Sequence, residues 1–305
     1  MHHVLSGSST QYYPNGLFKN AIVNSPFNPP LYPYNHSIPS GLYNQLVAEV
    51  GCDTATNKLQ CLRNKPLIPD LRDANIRIAD RGTYGTFTWY PVAGGDFVTS
   101  RPSLGLGAGK PHKGQNLIVT HNQREGFLFT RPVSTAAEAS AFLAELIPTA
   151  SSATLAALAS LYTPAAGFPD VASQLEGMVA DHLFQCVAYQ LAETFSTGGQ
   201  SAYKGQWQIA PAFHFGDIEY YFNANTSSLA SYSTFENWTG SFTKFVKTGN
   251  PNSGTNPNPA TNVPWTKWGD YSESKGWEKL FTTNAATVSE TSMSLLDAGT
   301  WNRCQ

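Results

Sequence analysis

Charge is scarce in this sequence. Only 13% of its 305 residues are Asp, Glu, Lys or Arg, about half the fraction of an average soluble domain. The net charge is −2 and the cations form no cluster, which argues against nucleic acid and anionic membranes as partners. No apolar run approaches the roughly 18 residues of a membrane span. The opening Met1-His2-His3 has neither the charged nor the apolar region of a secretory signal. There is no HExxH zinc motif and no internal repeat. Cysteine is limited to Cys52, Cys61, Cys186 and Cys304; an even count fits two disulfides and fits free thiols as well. Apolar residues are plentiful, at 41%, with 12% aromatic. That is ample for a large core and excludes a disordered chain.

Local patterns give an alternation of strands and helices. Leu17 to Val23 predicts a helix end running into a buried strand, closed by Pro26 and the Pro29-Pro30 pair. Leu42, Leu46, Val47 and Val50 have helical spacing. Asp53 to Gln60 reads as a polar loop with a cysteine near each end. Thr86 to Tyr90 predicts a strand. Leu117 to Thr120 (LIVT) predicts another, apolar enough to be buried on both faces as in a parallel sheet. Thr135 and Glu138 make a capping box for a helix over Ala139 to Leu146. A second helix is expected over Ser152 to Tyr162. The longest is expected over Ala172 to Phe195, where Val179, Leu183, Val187, Leu191 and Phe195 recur every four residues and Gly198-Gly199 ends the run. Gln206 to Ile209 reads as a strand, Ser233 and Glu236 as the capping box of a further helix, and Asn250 to Val263 as a surface loop. The pattern is that of an α/β protein with a mostly parallel sheet.

Seven histidines restrict the search for chemistry. His2, His3, His36, His112 and His182 read as surface or satisfied core residues. His121 and Glu125 are four apart, but no second histidine follows at zinc spacing. His214 differs, because it directly follows a predicted strand. Glu125 likewise follows LIVT, and an acid there can fix the tautomer of an imidazole. Acid before histidine is the chain order of an α/β-hydrolase triad.

At these residues the sequence resembles a known family, the type B carboxylesterases and cholinesterases. Gly114–Phe129 is similar to their acid-bearing segment, and His214 through Asp217 to Tyr221-Phe222 to their histidine segment. Pro91-Val92-Ala93-Gly94-Gly95-Asp96-Phe97 resembles their Pro-Val-x-Asp-Gly stretch, with the Asp-Gly order disturbed. Gly16-Leu17-Phe18 to Asn24-Ser25 resembles a Leu-Phe…Ala-Ile…Gln-Ser-Gly run, with Pro26 for the glycine. Ala48–Arg63 looks like the first disulfide loop of fungal lipases. Asp181-His182…Cys186 with Arg303-Cys304 looks like the pair tying a helix to the C-terminus.

The resemblance implies an α/β-hydrolase fold over one domain, residues 1–305. It implies disulfides Cys52–Cys61 and Cys186–Cys304, and a serine carboxylic ester hydrolase with Glu125 as acid and His214 as base. Gly85 and Phe87 fall at its acyl-pocket positions. Small-molecule or lipid ester substrates are expected, with no metal or organic cofactor. Secretion is expected too, and sequons at Asn35, Asn225 and Asn237 add to that expectation. No G-x-S-x-G elbow occurs in the 305 residues, nor the family's Gly-rich oxyanion loop. The expectation is therefore an N-terminally truncated chain whose Met1 is internal to a longer reading frame. Met1–Ser9 would then continue the helix that follows the elbow, and the chain alone would be inactive. The alternative is a cholinesterase-like binding or adhesion module without catalysis, against which the joint presence of Glu125 and His214 argues.

Overall fold

The computed structural model describes residues 2, 18–107, 114–197, 200–222, 232–254, 264–269, 277–282, 289–292 and 298–304. Contacts divide it into two compact units, Pro29–Arg101 and the residues on either side of that segment. The expectations for Met1–Ser9, His112, Gly198-Gly199, Asn225, the Ser233/Glu236 side chains and the later part of the 250–263 loop lie outside the described residues.

The larger unit is built on one sheet. β1 (Asn20–Asn24), β2 (Asn116–Asn122), β3 (Ser201–Trp207), β4 (Trp277–Phe281) and β5 (Ser289–Ser292) lie side by side in chain order. The first four are parallel and β5 is antiparallel to β4. The LIVT expectation holds for a clear reason. Leu117 and Val119 pack with Leu106, Val187, Leu191 and Phe195 on one face. Ile118 packs with Trp238, Phe242 and Phe245 on the other. A strand covered on both faces favours such a continuous apolar run.

β3 begins earlier than its sequence suggests, at Ser201. Lys204 is fully buried there. Its ammonium pairs with Glu278 of β4 and lies 4.3 Å from the Tyr189 ring centroid. Tyr189 Oη also donates to Glu278, at 3.0 Å. Burial pushes the Glu278 carboxyl up, but Lys204 and His121 outweigh it and hold the group at about 2. A charged residue inside a core strand is legible only once its partner is seen.

The helices follow the same logic. The Thr135/Glu138 capping box is present and starts Ala136–Leu146. The long apolar repeat runs as Val171–Ala180 and Cys186–Thr197, joined by a widened turn over Asp181–Gln185. Asp181 takes hydrogen bonds from Tyr162 Oη at 2.8 Å and Arg303 Nε at 2.7 Å. Gln185 donates to the Gln123 carbonyl at 3.0 Å. Phe184 turns toward His214. Cys186 bonds Cys304 with Cα atoms 5.1 Å apart.

His182 lies in the same turn, with Nε2 buried and without a hydrogen-bond partner among the described residues. Burial pushes its imidazole down to about 4. The folded group therefore binds its proton less readily than the unfolded one. Its stabilising contribution is complete above pH ~6.5 and is lost as pH falls toward 4, amounting to about 3 kcal/mol at most. His182→Gln is expected to flatten that part of the stability–pH curve, measured by denaturant unfolding at stepped pH. An unchanged slope would remove His182 as its cause.

In the smaller unit, helices Ser37–Glu49, Lys58–Arg63 and Arg72–Ala79 surround a core of Val47, Val50, Cys52, Leu62 and Ala74. Cys52–Cys61 closes it, Cα atoms 5.8 Å apart. Two local expectations are corrected here. Part of the loop expected over Asp53 to Gln60 is helical from Lys58, because the Asn57 side chain caps the Gln60 amide at 2.9 Å. Thr86 to Tyr90 is not a strand. Phe87 and Trp89 are exposed, and the backbone turns on itself: the Thr86 amide donates to Thr83 and the Phe87 amide to the Tyr90 hydroxyl. Among the described residues, no helix is long and apolar enough to cross a membrane.

Candidate active site

The site forms where β2 and β3 end. Parallel strands deliver both chain exits to the same sheet edge, so Glu125 and His214, 89 residues apart, meet there. His214 Nδ1 lies 2.5 Å from Glu125 Oε2. Glu125 is wholly buried. Its other oxygen, Oε1, accepts from Ser25 Oγ at 2.6 Å and from the Asn122 amide at 2.6 Å. Burial pushes the Glu125 carboxyl up. The hydrogen bond and charge of His214, with Ser25 and Asn122, outweigh that and hold it below the usual carboxylate range.

The sequence reading placed Ser25, Asn122 and Asp217 in family-like segments but gave them no role beside this pair. The Asn122 side chain donates to Asp217 Oδ1 at 3.1 Å, joining two buried carboxyl groups through one amide. Burial pushes Asp217 up from the ordinary range. Ser25 sits just after β1, in the Asn24-Ser25 pair that resembles the family's Gln-Ser step. Its hydroxyl is committed to Glu125. Gly126 admits the close approach of a helix: a Cβ there would lie 2.1 Å from the Glu176 carbonyl oxygen.

Three aromatic rings surround the imidazole: Phe129, Phe184 and Phe215, with centroids at 4.9, 4.8 and 4.1 Å. His214 Nε2 has no hydrogen bond among the described residues. The backbone is strained here. Ser25, Ala212 and Phe215, with φ of 46°, 52° and 73°, are the non-glycine residues with left-handed φ among those described. Each costs on the order of 1–3 kcal/mol, and such strain gathers at functional sites.

Gly85 and Phe87 belong to the smaller unit. Gly85 has φ 72°, so its turn alone demands glycine. His121 is buried beside Glu278. The sequon at Asn35 is exposed. Asn237 is 5% exposed inside the helix Tyr232–Thr248.

A mostly parallel sheet flanked by helices is the architecture of an α/β-hydrolase. The crystal structure of Aspergillus niger EstA shares the fold, with a TM-score of 0.79 at 20% identity, over 99% of this chain and 60% of that one. The chain belongs to the carboxylesterase family, which it matches over residues 2–295. It is 24% identical to secreted lipase 1 of Botryotinia fuckeliana over 94% of its own length and 52% of that protein. It is 28% identical to lipase 2 of Diutina rugosa over 53% of its length and 30% of that protein. The chain thus spans about half of the first relative and less than a third of the second.

Proposed function

We propose that these residues carry the acid and base of a secreted carboxylic ester hydrolase, completed by a nucleophilic serine outside the 305 residues. The observation that supports this reading is the 2.5 Å contact between His214 Nδ1 and buried Glu125. Nδ1 donates its proton to the carboxylate, which leaves Nε2 as the base. Nε2 takes the proton of the attacking serine and returns it to the leaving alcohol. The acyl-enzyme is then hydrolysed by water, which Nε2 activates in turn. Glu125 stays ionised throughout and stabilises the imidazolium.

Without the serine, and without the amides that would hold the oxyanion, His214 could act only on water. General-base help alone reaches about 10² to 10⁴ in rate. The test is to assay the 305-residue chain with p-nitrophenyl butyrate beside His214→Ala. No turnover by the triad route is expected. Turnover well above background that disappears in the variant would place the nucleophile inside this chain and overturn the reading.

We also assign Phe87 to the acyl side of the pocket, with Gly85 leaving room for chains longer than acetyl. Gly85 cannot accept a side chain without strain, so Phe87→Ala is the useful variant. In an enzyme that joins these residues to a nucleophile, it is expected to raise the octanoate-to-acetate rate ratio by about tenfold. An unchanged ratio would remove Phe87 from the pocket.

A further inference from the structure

We propose that Arg124, Phe127 and Phe213, backed by Glu176, form a clamp that positions the acid against the base. The inference rests on the Glu125–His214 pair working as proposed above. The two members of that pair leave the sheet from different strands, so local chain geometry cannot hold them together. The proposed clamp residues are their sequence neighbours. Arg124 precedes Glu125, Phe127 follows it by two, and Phe213 precedes His214.

The contacts join the two loops directly. The Phe127 and Phe213 rings are stacked, with centroids 4.0 Å apart and planes 8° apart. The Arg124 guanidinium lies 4.9 Å from one centroid and 4.8 Å from the other. Its Nε and Nη2 donate to the two carboxylate oxygens of Glu176, each at 2.8 Å. Beneath the rings, the Arg124 amide donates to the Ala212 carbonyl at 2.9 Å and the Gln123 amide to the Trp207 carbonyl at 2.9 Å. For His214 to swing from Glu125, the base loop must unstack Phe213 from Phe127 and draw it away from a guanidinium that lies beside both rings and is held by Glu176.

An exposed ion pair by itself contributes little to stability. Phe127 is 41% exposed, so its ring adds little to the core. The planar fork makes sense as a fastener across two loops. Lysine could not imitate it, since it is neither planar nor bidentate. None of the four residues touches the reacting atoms, so all are positioning residues.

The readout is hydrogen exchange of the His214 Nδ1 proton, followed by NMR in the 305-residue chain. Arg124→Met and Arg124→Lys are expected to speed its exchange by about tenfold or more, through loss of the stacked contacts. Protection of the Val119 and Tyr203 amides in the sheet core should stay within about twofold, because their exchange reports global opening. If Arg124→Met fails to fold, Glu176→Gln carries the same readout, since it unfastens the guanidinium at its other end. An unchanged Nδ1 proton would overturn the clamp, as would acceleration shared equally by the core amides. A wild-type chain with no protected Nδ1 proton would instead remove the Glu125–His214 pair itself, and the clamp with it.

Discussion

Replacing Cys186 and Cys304 with alanine is expected to lower the free energy of unfolding by about 5 kcal/mol, while the same change at Cys52 and Cys61 costs about 2.5 kcal/mol. The difference follows from the loops closed: the sequence separations are 118 and 9. Cross-linking distant residues removes more freedom from the unfolded chain. The long link also guards a polar cluster. Arg303, next to Cys304, reaches Asp181 with Tyr162 on the same oxygen. If the last helix, Ala298–Cys304, came away, buried Asp181 would lose its cation. Domains are stable by roughly 5–15 kcal/mol in total, so the Cys186/Cys304 variant should sit near the limit of folding. Urea unfolding of the chain and both double variants decides the matter. A larger loss from the Cys52/Cys61 variant would contradict the loop-length argument.

What the sequence disclosed, and what it hid, divides along physical lines. The Thr135/Glu138 box and the LIVT strand were legible because each depends on residues within a few positions. The acid and histidine segments could be picked out because each follows such a strand. The pairing of the cysteines came from resemblance, since spacing alone left free thiols open. Thr86 to Tyr90 misled because β-favouring residues carry no information about whether a strand partner exists; here side chains satisfy the backbone instead. The Asp181–Gln185 turn was hidden because the partners of Asp181, Tyr162 and Arg303, lie about 20 and 120 positions away. Lys204 concealed the start of β3 for the same reason, its partner Glu278 being 74 positions on. At the site, Ser25, Asn122 and Asp217 fall in family-like segments, but what each bonds to is visible only once the sheet collects them. Their roles are properties of the edge where parallel strands end, and no single segment contains it.

Glu125→Gln is expected to reduce kcat by about 10⁴ in an enzyme that joins these residues to a nucleophile, as loss of the correct histidine tautomer does elsewhere. The geometry says why a near-isosteric change is so damaging. Oε1 of Glu125 receives three hydrogen bonds, from the Ser25 hydroxyl, the Asn122 backbone amide and, at 3.4 Å, the Asn122 side chain. The backbone amide cannot become an acceptor. A glutamine must therefore place its carbonyl oxygen toward Asn122 and its NH₂ toward His214. Nδ1 would then have to accept, driving the ring proton to Nε2, where the base must be free. Substrate contacts are untouched, so KM should move by only a few fold. The pH dependence has a definite sign. Glu125 is held below the usual carboxylate range, so its contribution persists at neutral and mildly acidic pH and is lost only as pH falls through that lowered value. In the glutamine variant no carboxylate titrates at this position, and the low rate persists at neutral pH. Steady-state kinetics across pH for both forms provide the measurement. A fall in kcat of less than about tenfold would mean that Glu125 does not set the tautomer of His214.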